Sequence, residues 1–382
     1  MCSARAPAGH RPRQKKVHWH STFGSIRVTE GQLRLGRRGP LLRPFCQRAQ
    51  VHTRGYSTLL QRVLTDFGAE TAFGQIPARV REHYGIDLPA TSARQITLQH
   101  AHQVGAFAPV GVDATTATVI AECDGSLIPI VENELPLVTD VTAAASPPDR
   151  RRHKTLLWKE VRLCAAQAAG RVQARYAATV GSVLEAGLAW EQVTQRAGGT
   201  ARSRVHGVGD GAPWIAEQFA LRFGAQGRYL VDFYHVSDYL AAAAPRCGGT
   251  EATAWRRRQQ QALRENRVDA VLAALAAHVE SAAEVAAART HTGESCTPVR
   301  DCQRYVSERR EQLDYAGALA AGLPIGSGLI ESGHRHVVQA RLKRSGAWWK
   351  LGNARDMVGL RVLRANGDWE TYWRAFPHHL NN

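Results

Sequence analysis

No stretch of this 382-residue chain holds the roughly 18 to 20 consecutive apolar residues that a membrane span requires. The opening, MCSARAPAGHRPRQKK, has no apolar centre suited to a secretion signal, so a cytoplasmic protein with no membrane partner is expected. Paired cysteines are missing as well. The seven that occur, at positions 2, 46, 123, 164, 247, 296 and 302, are odd in number and scattered, without a C-x-x-C. That pattern excludes a disulfide framework and a cysteine zinc site, leaving free thiols that are mostly buried. No internal repeat is visible. Acidic residues are scarce at the start: residues 1–55 carry twelve Lys and Arg against the single acid Glu30.

What is present points to a polyanion. Forty-nine Lys and Arg against 33 Asp and Glu leave a formal charge of +16, and the excess favours nucleic acid as partner. A hydrophobic content of 44% supplies an ordinary core, and the length suits two or three compact units. Residues 1–55 form a basic arm, within which residues 1–17 read as disordered and His18 to Leu35 as a small hairpin: WHSTFGSIRV, a turn at Thr29-Glu30-Gly31, then QLRL. The stretch ARVREHYGIDLPATSARQIT has the layout of a helix-turn-helix. Ile76, Val80 and Tyr84 lie on one helical face, Gly85 breaks the helix, and Pro89 opens a second that presents Thr91, Ser92, Arg94, Gln95 and Gln99. Such side chains can contact phosphates and base edges, although any helical hairpin would show the same spacing.

From Thr115 the pattern changes to short apolar runs. TATVIAECDG and LIPIVE suggest two strands joined near Asp124-Gly125, LLWKEVRLCAA a further strand, and Val180 to Ala197 a helix. VHGVGDG (strand), AEQFALRFG (helix) and RYLVDF (strand) follow, and residues 236–319 form an Ala-rich helical block. Finally, PIGSGLIESGHRHVVQARLKRSG reads as a turn and a helix through about Arg344.

GVGDGAPWI, Gly207 to Ile215, has two readings. Gly207, Gly209 and Ala212 match a dinucleotide-binding turn, with Asp232 about where a ribose-binding acid belongs. An acid amid that turn would repel a pyrophosphate, however, which disfavours a nucleotide cofactor. The alternative is that Asp210 projects from a strand end into a metal site. Asp124 also precedes a glycine, and Glu331 sits in the first turn of a helix after GSG, 121 residues beyond Asp210. Three carboxylates on a basic protein suit Mg²⁺, or Mn²⁺ as an alternative, in phosphodiester chemistry. Arg335, Arg341, Lys343 and Arg344 would meet phosphates. Trp348 and Trp349 would either stack on unpaired bases or pack the helix onto the sheet.

CDGSLIPI, VHGVGDGAPWI, YLVDFYHVSDYLAAAA and PIGSGLIESGHRHVVQARLKRSGAWW together resemble the DDE transposases of bacterial insertion sequences, closest to the Kra-type group related to Mutator-like elements. The resemblance runs from about Thr115 to Trp349 and implies an α/β fold: an RNase H-like catalytic core interrupted by an all-helical insertion. It also implies metal-holding roles for Asp124, Asp210 and Glu331, and supporting roles for Asp232 and His235, the latter equally readable as a packed core histidine. Beyond the basic arm read from charge over 1–55, which the resemblance does not cover, the implied division is a DNA-binding helical region over 56–112, core over 113–235, helical insertion over 236–320 and core with the glutamate helix over 321–382. Implied partners are double-stranded DNA, as element ends and target, and further copies of the chain on that DNA. A related nuclease that cuts without joining and a non-catalytic DNA-binding regulator are the rival readings.

Overall fold

The computed structural model describes residues 13–34, 39, 41–49, 55–107, 111–133, 154–288 and 297–379. The first twelve residues of the basic arm, Cys2, Cys296 and nearly all of the polar loop at 141–154 lie outside the described residues. In chain order the first elements are β1 (Arg13–Ser21), β2 (Gly24–Arg34), β3 (Leu41–Leu42), α1 (Pro44–Arg48), α2 (Thr58–Glu70), α3 (Ile76–Tyr84) and α4 (Ala90–Val104). Then come β4 (Thr118–Asn133), β5 (Lys154–Ala168), β6 (Ala174–Thr179), α5 (Val183–Arg196), β7 (Arg204–Gly209), α6 (Pro213–Phe223) and β8 (Gly227–Val231). A helical block follows: α7 (Phe233–Gly248), α8 (Ala252–Arg264), α9 (Val268–Ala276), α10 (Ala282–Ala288), α11 (Pro298–Glu308) and α12 (Tyr315–Ala320). The last are α13 (Gly328–Gly333), a π-helical segment His334–Gln339, α14 (Ala340–Leu342), α15 (Leu351–Ala365) and α16 (Trp369–His379). Among the described residues no helix is long and apolar enough to cross a membrane.

The chain divides into two compact units, one comprising Met1–Pro109, Pro129–Leu156 and Ala340–Asn382, the other Val110–Ile128 and Leu157–Gln339. In the first, β1 and β2 pair antiparallel from Arg13↔Gln32 to Ser21↔Gly24. The turn therefore falls at Thr22-Phe23, not at Thr29-Glu30-Gly31. Gly24 takes a φ of +113°, which glycine adopts readily. Glu30 is instead a buried acid whose carboxylate accepts from the Cys46 N–H at 2.9 Å and from Arg43 Nε at 3.1 Å. Ser57 caps α2 by accepting from Leu60 N, and Gly85, at φ +63°, ends α3 with a left-handed residue. Leu60, Leu64, Ile76, Val80, Ala93 and Ile96 close the core of these helices. On α4, Thr91, Arg94 and Gln95 are exposed, but Ser92 is buried and Gln99 is half-buried, because both lie toward the side of α4 that packs inward. That leaves a shorter polar face than the spacing suggested.

In the second unit a five-stranded sheet has the order β6-β5-β4-β7-β8, with β4, β7 and β8 parallel and β5 antiparallel to β6. The chain is thus mixed α/β. β4 is one continuous strand through Asp124-Gly125 rather than two strands joined there, so Asp124 lies mid-strand. Gly125 leaves the strand intact and provides space instead: a methyl at this position would overlap the Glu160 carboxylate. Alternation along β4 puts Val119, Ala121 and Cys123 in a core with Trp190 and Val193 of α5 and Ile215, Phe219 and Phe223 of α6. Glu122 and Asp124 share the other face. β6, which no apolar run announced, takes the place beside β5. The helical block has its own core, including Val236, Leu240, Leu263, Val271, Leu275, Val299 and Val306. Cys46, Cys123, Cys164 and Cys302 are buried free thiols, and Cys247 is half-buried.

One buried group makes the first unit acid-sensitive. His100 is enclosed with Nε2 3.0 Å from Gln61 Oε1 and Nδ1 2.9 Å from the Tyr372 hydroxyl, and burial lowers its pKa from 6.5 to about 3. Because the unfolded chain takes up a proton that the folded one refuses, this stability is complete above about pH 6.5 and is lost as pH falls toward 3. Between pH 7.5 and 5 the loss is about 2 kcal/mol. In denaturant melts at both pH values, His100→Gln should show a pH penalty smaller by that amount; an unchanged penalty contradicts the assignment.

Candidate functional site

The parallel register of β4 and β7 pairs Glu122 with Val208. Asp124 and Asp210 each lie two residues further along their chains, so neighbouring strands deliver them at the same level beyond the paired region. Asp210 follows the end of β7, and its Oδ1 accepts from Ala212 N at 2.8 Å, folding the loop back toward α6. The glycines around it each serve close packing. A methyl on Gly207 would enter the Phe219 ring and one on Gly209 would meet the Tyr229 hydroxyl, while Gly211 takes a φ of +77° beneath Arg309. Ala212 precedes α6, which begins with Pro213, a residue with no N–H of its own.

The helical block fastens this loop. Tyr305 of α11 donates its hydroxyl to the Asp210 carbonyl at 2.5 Å, and Arg309 donates from Nε to the Gly211 carbonyl at 3.0 Å while lying 4.1 Å over the Tyr305 ring. Burial raises the Tyr305 phenol, which therefore stays protonated as donor. Beside the loop opens a cavity of about 330 Å³ lined by Asp210, His235, Tyr239, Arg304, Tyr305 and Arg309. His235 is half-buried at its wall, 5.6 Å from the Tyr239 ring and 5.7 Å from that of Tyr305.

Asp232 is buried at the start of α7. One carboxylate oxygen accepts from Tyr234 N at 2.6 Å as an N-cap, and the other accepts from the Ser327 N–H at 3.0 Å and from the Ser327 hydroxyl. It thereby pins the Gly326-Ser327-Gly328 turn that opens α13. Glu122, 1% exposed, accepts from Ile330 N at 2.7 Å, joining the central strand to the first turn of the helix that carries Glu331. Burial pushes the Glu122 carboxyl up to about 8, helped by the charges of Asp232 and Glu331 and opposed by the Ile330 and Leu329 N–H groups. Gly333 lets this helix approach β5 and β6: a methyl there would overlap Tyr176 and crowd Leu163. One turn beyond Glu331, the buried His334 places Nε2 3.3 Å from Asp124 Oδ2.

Asp124, Asp210 and Glu331 thus belong to one compact unit, partly or fully exposed on the elements just described. Among the described residues, no group of three or more His, Cys, Asp or Glu side chains stands close enough to hold a metal ion. Glu122, His334 and Tyr305 were missed from sequence. The first had a signal, an acid inside the apolar run VIAEC, and the second lies at i+3 from Glu331; nothing marked Tyr305. Two cationic-cluster expectations are corrected. Arg341 is buried, donates from Nε to the Gly68 carbonyl at 2.8 Å and lies between the Phe73 and Trp349 rings. Burial lowers its pKa to about 10, and it is not available to a phosphate. Trp349 is buried too, its ring nitrogen donating to the Leu342 carbonyl, and it packs rather than stacking on bases. Trp348, at 48% exposure, and Arg335, Lys343, Arg344, Arg94 and Gln95 remain exposed.

Residues 188–375, just under half of the chain, are similar to the model of an uncharacterised protein family, UPF0236. The match takes in Asp210, Asp232 and Glu331 and stops short of Asp124. No curated protein matches the chain.

The Glu122 tether has a measurable signature. Glu122→Gln keeps an oxygen that can accept from Ile330 N and should change stability little. Glu122→Ala leaves that N–H buried without a partner and should cost about 1–3 kcal/mol in chemical denaturation. Equal losses in the two variants would contradict a hydrogen-bonded tether.

Proposed function

We propose that the protein is a metal-dependent DNA transposase of an insertion sequence, which binds element ends and carries out phosphodiester cleavage and strand transfer. The observation that carries this reading is the register that brings Asp124 and Asp210 to one level on adjacent parallel strands, with Glu331 tied to the same central strand through Glu122 and Ile330. Counted from β4 as the first strand, the sheet order is third, second, first, fourth, fifth, which supports an RNase H-like core. The helices from Phe233 to Ala320, between the last strand and the glutamate helix, support the all-helical insertion. The charge of +16 supports a DNA partner.

In this reading Asp124, Asp210 and Glu331 would draw together to hold divalent metal, which would supply charge neutralisation to the reacting phosphodiester. Asp232 fixes the turn before Glu331, and Tyr305 and Arg309 fix the loop that carries Asp210. Arg94, Gln95, Arg335, Lys343 and Arg344 take the DNA backbone and Trp348 an exposed base, and binding falls steeply with salt. Joining two element ends calls for more than one copy of the chain on the DNA.

The test is a cleavage and joining assay with Mg²⁺ on DNA carrying the sequences that flank the gene, comparing wild type with Asp210→Asn and Asp124→Asn. Each substitution should abolish cut and joined products while leaving DNA retention intact. Equal activity in wild type and Asp210→Asn would sink the proposal; cut product without joined product would make the protein a nuclease.

A further inference from the structure

We infer that His334 is a nitrogen ligand of the metal at Asp124 and that the site it completes prefers Mn²⁺ to Mg²⁺; this rests on the proposed metal-dependent function. His334 is 4% exposed, and neither ring nitrogen has a hydrogen-bond partner among the described residues. Buried imidazoles almost always satisfy at least one nitrogen, so an orphaned one calls for a missing partner such as a water or an ion. Its Nε2 nevertheless stands 3.3 Å from Asp124 Oδ2. At that separation a straight N–H···O approach would be a hydrogen bond, so the contact is oblique. That is the relation between two ligands of one cation: atoms each about 2.0–2.2 Å from a metal stand roughly 2.8–3.6 Å apart at ordinary bond angles.

The surroundings agree with a cation. Glu331 precedes His334 by three residues, so the two share a helical face, the Glu-x-x-His spacing that binds metals in carboxylate-bridged helical sites. The π-helical segment begins at His334 itself, a local irregularity of the kind often found at functional positions. Glu331 is exposed on the same helix. The preformed part of the site is therefore Asp124 with His334, and Glu331 and Asp210 complete it on binding. An imidazole among carboxylates alters metal choice. Mg²⁺ favours an all-oxygen shell and gives up water reluctantly, whereas Mn²⁺ accepts nitrogen more readily.

The experiment uses the full chain and Mn²⁺ alone, without DNA. Electron spin-echo spectra of bound Mn²⁺ should show modulation from an imidazole nitrogen, and Mn²⁺ should bind about ten-fold more tightly than Mg²⁺ in competition. His334→Gln should remove the modulation, weaken Mn²⁺ about ten-fold and leave Mg²⁺ nearly unchanged. Absence of nitrogen modulation in the wild type, or its persistence in His334→Gln, overturns the inference without reference to any variant's activity. If Asp124→Asn loses Mn²⁺ while His334→Gln does not, only the role of His334 falls. If Asp124→Asn also keeps full affinity, the carboxylate metal site itself falls.

Discussion

The candidate site depends on one hydrogen bond across the middle of its unit, from the Ile330 N–H to the buried Glu122 carboxyl. Glu331 lies in the first turn of a helical run that continues unbroken from α13 through the π-helical segment to α14, and the N–H groups of a first turn have no intrahelical partner. Glu122 captures an otherwise unpaired N–H of its first turn and so sets the helix against the central strand. Asp232 holds the preceding turn through Ser327, and Gly333 removes the side chain that would keep the helix away from β5 and β6. Three different sequence regions thus converge on a single turn of helix.

A comparable arrangement secures Asp210. Besides its own Asp210–Ala212 contact, the loop after β7 is held by Tyr305 and Arg309, which bind two successive backbone carbonyls from the end of α11. The helical block therefore positions an acid that lies nearly a hundred residues earlier in the chain. The helices between β8 and α13 are fastened at both Asp210 and, through the Phe233 N–H to the Ile325 carbonyl, the turn before Glu331. Any function of the site inherits its geometry from these buried polar contacts more than from the exposed acids themselves.

The place of Asp210 after a strand and of Glu331 in a first helical turn was legible in the sequence because local signals mark both: glycines on either side of an acid after an apolar run, and a GSG turn before a helix. The helical block was legible from its Ala-rich periodicity. The place of Asp124 was misread, since Asp124-Gly125 looked like a strand end and turn and is instead the middle of a long strand; Gly125 answers to Glu160 on the neighbouring strand, a contact no local pattern encodes. β6 was missed because ARYAAT has neither an apolar run nor strict alternation, and only pairing with β5 makes it a strand. Arg341 was misjudged for a related reason, and Trp349, left open between stacking on bases and packing, packs. Position in a cationic, aromatic segment suggested exposure, whereas a guanidinium that finds a carbonyl and two rings can be buried. Glu122 and His334 show the limit most clearly, because both matter through partners about two hundred residues away in the chain.

Anomalous scattering from crystals of the full chain grown with Mn²⁺ tests the central claim most directly. The account predicts a peak within about 2.5 Å of the Asp124 carboxylate, on the side facing the helix that carries Glu331. Mn²⁺ bound elsewhere, with no density at Asp124, would contradict it.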